Sequence, residues 1–98
     1  MEPDKRTVVV ISASGEVSEI VLPAEDMKAL HTLQDLVGGP IEARPLPGRK
    51  YLVLNEDAKL GFHFQNEVAT DLALKAESIQ PDDYIAGTAV VVDASVLE

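Results

Sequence analysis

The polar side chains Gln34, Glu42, Arg44, Asn55, Glu56 and Asn66 stand where the chain changes direction. Gln34 lies beside an apolar helical stripe, one turn before Gly38-Gly39, where a purely apolar helix would carry Leu. Glu42 follows those glycines, Asn55 and Glu56 end a hydrophobic run, and Asn66 precedes a helical segment. Two kinds of chemistry suit such a set. Asn55 and Asn66 can satisfy turn and cap backbone groups, and Gln34 can bond a neighbouring strand or the glycine loop. Alternatively, the set lines one shallow polar cleft that holds a small ligand or a partner's main chain. Arg44, Arg49, Lys50 and Lys59 flank the run Tyr51–Asn55, so an anionic ligand is compatible with the second reading. Both readings stand at this point.

Reactive chemistry has less support. His63 is followed four residues later by Glu67, and a carboxylate near an imidazole can tune its pKa or share a metal. The periodicity, however, puts His63 in a strand and Glu67 at a helix start, so helical spacing does not bring them together. His63 therefore reads as a half-exposed strand histidine, and His31 as a solvated helix residue. The chain has no cysteine, which removes disulfides, thiolate catalysis and cysteine-based metal centres together. It has no phosphate loop, dinucleotide fingerprint or paired histidines at metal spacing. Ser14-Gly15 lacks the preceding Gly of a nucleophile elbow. A hydrolase built on Glu42, Glu56 and His63 is thus the reading with least local support, and no metal or cofactor is expected.

The elements that must position these residues are legible from periodicity. Thr7–Ser12 is a β-branched run suited to a strand buried on both faces, and Val17–Leu22 follows a short Gly-containing loop, which predicts an antiparallel hairpin. Pro23 suits a first helical turn, with Glu25 and Asp26 favoured by the dipole. Met27, Leu30, Leu33 and Val37 form an apolar stripe that ends at Gly38-Gly39-Pro40. Ile41–Pro45 and Tyr51–Leu54 read as strands around a Pro47-Gly48 turn. Leu60–Phe64 reads as a further strand in which Leu60, Phe62 and Phe64 share a face. Asn66 caps a helix over Glu67–Lys75 with Val68, Ala69 and Leu72 inward. Ile85–Val92 is a final strand, its Gly87 marking a close approach of another group. The expected fold is one α+β domain over residues 1–98, in the order β-β-α-β-β-β-α-β, with a mostly antiparallel sheet and both helices on one face.

Charge narrows the partners. Of 98 residues, 46% are hydrophobic and 26% charged, ordinary globular proportions. Seventeen acidic residues against eight basic ones leave a net charge of −9, which opposes direct nucleic-acid binding. Mimicry of DNA is a weak form of the idea: duplex carries about one charge per 1.7 Å, so nine charges match only about 15 Å of it. The N-terminal residues show no secretory signal, and no run approaches a membrane span, so a cytoplasmic location without membrane association is expected. With aromatics at 4%, the core is modest and a homodimer would bury more apolar area.

The blocks Leu33-Gln34, Val37-Gly38-Gly39, Ile41-Glu42, Asn55-Glu56-Asp57, Asn66, Ala69-Thr70, Ile85, Gly87 and Val90-Val91 together resemble the family known as domain of unknown function 3846. The resemblance covers nearly the whole chain. It implies a setting in phages, plasmids and related mobile elements, and no assigned activity. One departure is Ala58, where the family's turn carries Gly. Should that position need a positive φ, Ala would cost about 1 kcal/mol and the loop would differ in shape. In that setting the chain is expected to be a non-catalytic acidic interaction protein that binds and modulates a host or element-encoded protein, such as a basic nuclease or restriction complex. The alternative is a small-molecule or nucleotide sponge using the polar cleft.

Overall fold

The β-branched and apolar runs become five strands in the computed structural model, which describes residues 6–61 and 63–98. They are β1 (Thr7–Ile11), β2 (Val17–Val21), β3 (Ile41–Leu46), β4 (Lys50–Asn55) and β5 (Ala89–Asp93). All pairings are antiparallel, in the spatial order β2-β1-β5-β4-β3. Helix α1 (Asp26–Val37) links β2 to β3, and α2 (Glu67–Lys75) precedes β5. The α+β class, the single antiparallel sheet and the succession of these elements are as expected. Among the described residues, no helix is long and apolar enough to cross a membrane.

Register shows where the core sits. Val53 faces Val90, and Val90 faces Val10, so one side of the sheet carries Val8, Val10, Val53, Val90 and Val92. Leu33 and Val37 of α1 pack there. The alternate residues Leu52, Leu54 and Ala89 point the other way, onto Ala69 and Ala73 of α2. The helices therefore lie on opposite faces, not on one. The physical reason is that β4 and β5 are apolar at successive positions, and such strands need cover on both sides.

Further details differ from expectation. The strand foreseen at Leu60–Phe64 is replaced by a 3₁₀ turn, Ala58–Leu60, followed by irregular chain. β3 and β5 already occupy both sides of β4, so the segment cannot pair with the strand that precedes it. Instead, Gln65 bridges Ala86, so residues 85–88 serve this small ladder and β5 begins only at Ala89. Leu60 and Phe64 point outward; the face foreseen for Phe62 lies outside the described residues, as does the N-terminal reading over residues 1–5. Helix α1 begins at Asp26, after Pro23, and Met27 is exposed. Helix α2 has the expected bounds but buries Ala69, Thr70 and Ala73, leaving Val68 and Leu72 at its margin. Hydrogen bonds between Thr70 and the backbone of Ile85 set that rotation. Gly87, at φ +78°, is closely approached as expected: a Cβ there would lie 3.2 Å from Nδ1 of His63.

Candidate functional site

Asn66 is completely buried and its carboxamide is fully used. Nδ2 donates to the carbonyls of Ile11 and Gly87, each at 2.9 Å, while Oδ1 accepts from the amide of Ala69 at 3.0 Å. One side chain thus caps α2 and ties it to the ends of β1 and the chain entering β5. Asn55 does a similar job at the end of β4. Its Nδ2 donates to the carbonyl of Val37 and its Oδ1 accepts from the amide of Asp57 at 2.8 Å. Gly39 leaves room for it, since a Cβ there would stand 2.9 Å from Nδ2. The end of α1 is closed by Gly38, at φ +84°; the amides of Gly38 and Gly39 both donate to the carbonyl of Gln34.

Glu42, Arg44, Asn55 and Glu56 line a single cleft of about 230 Å³ on the α2 side of the sheet. Gln34 and Asn66 are not part of it: Gln34 faces a shallow surface depression beside Gly38-Gly39, and Asn66 is internal. Leu54, Ala58, Ile79 and Ile85 supply apolar lining, and Lys59, Asp83 and Tyr84 complete the rim. The last two were not foreseen; they reach the cleft across a 24-residue separation, for which no local pattern exists. Ala58 sits buried at the start of its 3₁₀ turn and is not among the positive-φ residues, so the feared strain is absent. His63 is exposed and outside any strand, against Gly61 and Gly87, and does not line the cleft with Glu42 and Glu56.

Two ion pairs take up the charges of the cleft other than that of Glu56, which has no ion-pair partner among the described residues. Arg44 meets Glu42 at 2.7 Å, and Lys59 bonds Asp83 while lying 4.6 Å from the centre of the Tyr84 ring. The hydrogen bond from Lys59, helped by the amide of Tyr84 and the nearby cationic charges, holds the Asp83 carboxyl below the usual carboxylate range against the opposing effect of burial. The other two cations of the flanking set are also paired, Arg49 with Glu98 and Lys50 with Asp93. Nε of Arg44 is buried and without a hydrogen-bond partner among the described residues. No group of three or more His, Asp or Glu positioned to hold a metal ion occurs among the described residues.

A second feature lies at the β1–β2 hairpin tip and was not apparent from sequence. Ala13, Ser14 and Gly15 face Phe64, Gln65, Glu67 and Val68 across an open groove of about 470 Å³. Phe64 is 83% exposed there. Val17, the first residue of β2, is 61% exposed beside the tip, and Val21 at the far end of the strand is 62% exposed; Val68 and Leu72 are the exposed apolar residues in the middle of α2. The sequence signals this place only by the small-residue loop Ala13–Gly15, since alternation puts its neighbour Phe64 on a strand face.

The family model for domain of unknown function 3846 matches residues 2–96. No curated protein and no solved structure matches the chain.

Proposed function

The chain belongs to the family of domain of unknown function 3846, and on that footing we propose that it is a non-catalytic, acidic protein-binding module, cytoplasmic and encoded by a phage or plasmid. It binds and modulates a protein of the host or of the element. The observation that carries this reading is the apolar surface at the hairpin tip, where Phe64 and Val68 line the groove and Phe64 and the first residue of β2, Val17, are each more than half exposed. Exposed apolar side chains that adjoin one another in an otherwise charged surface mark contact sites for other macromolecules. The net charge of −9 favours a basic partner by steering encounter, more than by adding affinity. The inward-turned roles of Asn55 and Asn66 support the same reading, since they leave fewer polar groups free for chemistry.

The test is affinity capture from host lysate with the parent chain and with Phe64→Ser/Val68→Ser. The parent is expected to return one stoichiometric basic protein that the variant, equally stable, does not. Capture of nothing above background, or equal capture by both, removes the reading.

Arg44 favours a second reading. Arg44 lines a cleft of about 230 Å³, and its guanidinium Nε lacks a hydrogen-bond partner among the described residues, a donor that a small anionic ligand such as a nucleotide could satisfy on a modest side-chain movement. A thermal shift on a nucleotide panel, lost in Arg44→Ala, would support it; no shift with any nucleotide would dismiss it.

A further inference from the structure

The two edges of the sheet are built differently. Strand β3 ends one side and β2 the other. In β3, the amide of Glu56 donates to the carbonyl of Pro40, and the register pairs Ile41 with Asn55. Antiparallel ladders alternate, so Glu42, Arg44 and Leu46 bond β4 while Ile41, Ala43 and Pro45 direct their backbone outward. Pro45 has no N–H to offer there, which blunts that edge. In β2 the same reasoning has the opposite outcome. The amide of Ser12 donates to Glu16 and that of Leu22 to Arg6, with Val9 opposite Glu19. Ser18 and Ile20 therefore bond β1, and the N–H and C=O groups of Val17, Glu19 and Val21 point away from the sheet. Those residues have no outward backbone partner among the described residues. Strand β2, Val-Ser-Glu-Ile-Val, holds neither Pro nor Lys to deter pairing.

The side chains of the same residues are exposed, with Glu19 between two half-uncovered valines. We propose that the free edge of β2 accepts an extended segment of a partner protein as a sixth strand, with a basic side chain opposite Glu19 and apolar ones opposite Val17 and Val21. Backbone hydrogen bonds supply the attachment and alternate side chains the selectivity. This deepens the protein-binding reading and rests on it. A second copy of the chain is a poor occupant. Full antiparallel overlap of two β2 strands sets Glu19 against its twin, about 5 Å apart at Cβ, between bodies of charge −9. A lysine or arginine in that position turns the repulsion into attraction, and the valines receive apolar neighbours.

The experiment uses the full chain, isotopically labelled, with two peptides. One has Val at its second and sixth positions, Lys at the fourth and Thr elsewhere; the other has Glu at the fourth. The Lys peptide is expected to shift the amide resonances of Val17, Glu19 and Val21 and to slow their hydrogen exchange, leaving Ile41 and Ala43 unchanged. It should bind about tenfold more tightly than the Glu peptide at low salt. The variant Glu19→Lys, at an exposed site, should reverse that preference. Shifts confined to other surfaces, or a preference unaffected by Glu19→Lys, overturn the proposal. So does light scattering that finds the free protein dimeric with the β2 amides already protected. Partner capture that Phe64→Ser/Val68→Ser abolishes but Glu19→Lys spares would sink the edge and keep the broader reading. Absence of any captured partner would sink the broader reading by itself.

Discussion

Replacing Asn66 separates a helix cap from a cross-link between elements. At an N-cap, Asn and Asp are nearly equivalent, because either supplies the oxygen that accepts from the backbone. Were capping the whole role, Asn66→Asp would be close to neutral and Asn66→Ala would cost about 1 kcal/mol. The structure adds two donated hydrogen bonds, to the carbonyls of Ile11 and Gly87, at a site with no solvent exposure. Each carbonyl left without its donor costs about 1 kcal/mol or more. Asn66→Ala should therefore lose about 3 kcal/mol, out of roughly 5–15 kcal/mol for a domain of this size. Thermal unfolding followed by circular dichroism should fall by about 12–24 °C, at about 4–8 °C for each kcal/mol. Asn66→Asp should do no better at pH 7, since a buried carboxylate would face two carbonyl oxygens. Such a carboxyl has its folded pKa raised above the unfolded value of about 3.9. Its relative stability is then present below about pH 4 and lost as pH rises through the raised folded value. A parent-like melting temperature for Asn66→Asp at pH 7 would refute the argument.

Gly39→Ala places a methyl 2.9 Å from Nδ2 of Asn55 and should displace that carboxamide from Val37 and Asp57. A loss of about 2 kcal/mol is expected in urea denaturation. In an Asn55→Ala background the same substitution should cost much less; strict additivity would show that the two do not meet. Acid titration tests the rim of the cleft. Because the hydrogen bond from Lys59 depresses the folded pKa of Asp83, its stabilising effect is present above the unfolded pKa and disappears as pH falls through the folded one. Lys59→Met should move the Asp83 carboxyl midpoint up towards the ordinary value in a carbon-detected NMR titration. An unmoved midpoint would show that Lys59 is not its partner.

Local rules made much of the fold readable in advance. The bounds of α2 follow from the cap at Asn66, the end of α1 from Gly38-Gly39, and the first hairpin from β-branched runs around Gly15. Backbone preference acts within a few residues, so these features are written where they occur. Leu60–Phe64 misled for the converse reason: alternation promised a strand, but pairing needs a free neighbour and the strand before it, β4, is already flanked by β3 and β5.

The polar set divides along the same line. That Asn55 and Asn66 sit at chain reversals was visible in the sequence, and so was the backbone role open to them. That Glu42, Arg44, Asn55 and Glu56 share a cleft with Asp83 and Tyr84 was decided by the tertiary fold, which brings the chain after α2 beside β3 and β4. The facing of the helices, the outward turn of Phe64 and the open edge of β2 belong to that second category. Composition and periodicity specify which residues seek cover or a partner; only the order of strands in space determines which of them find one.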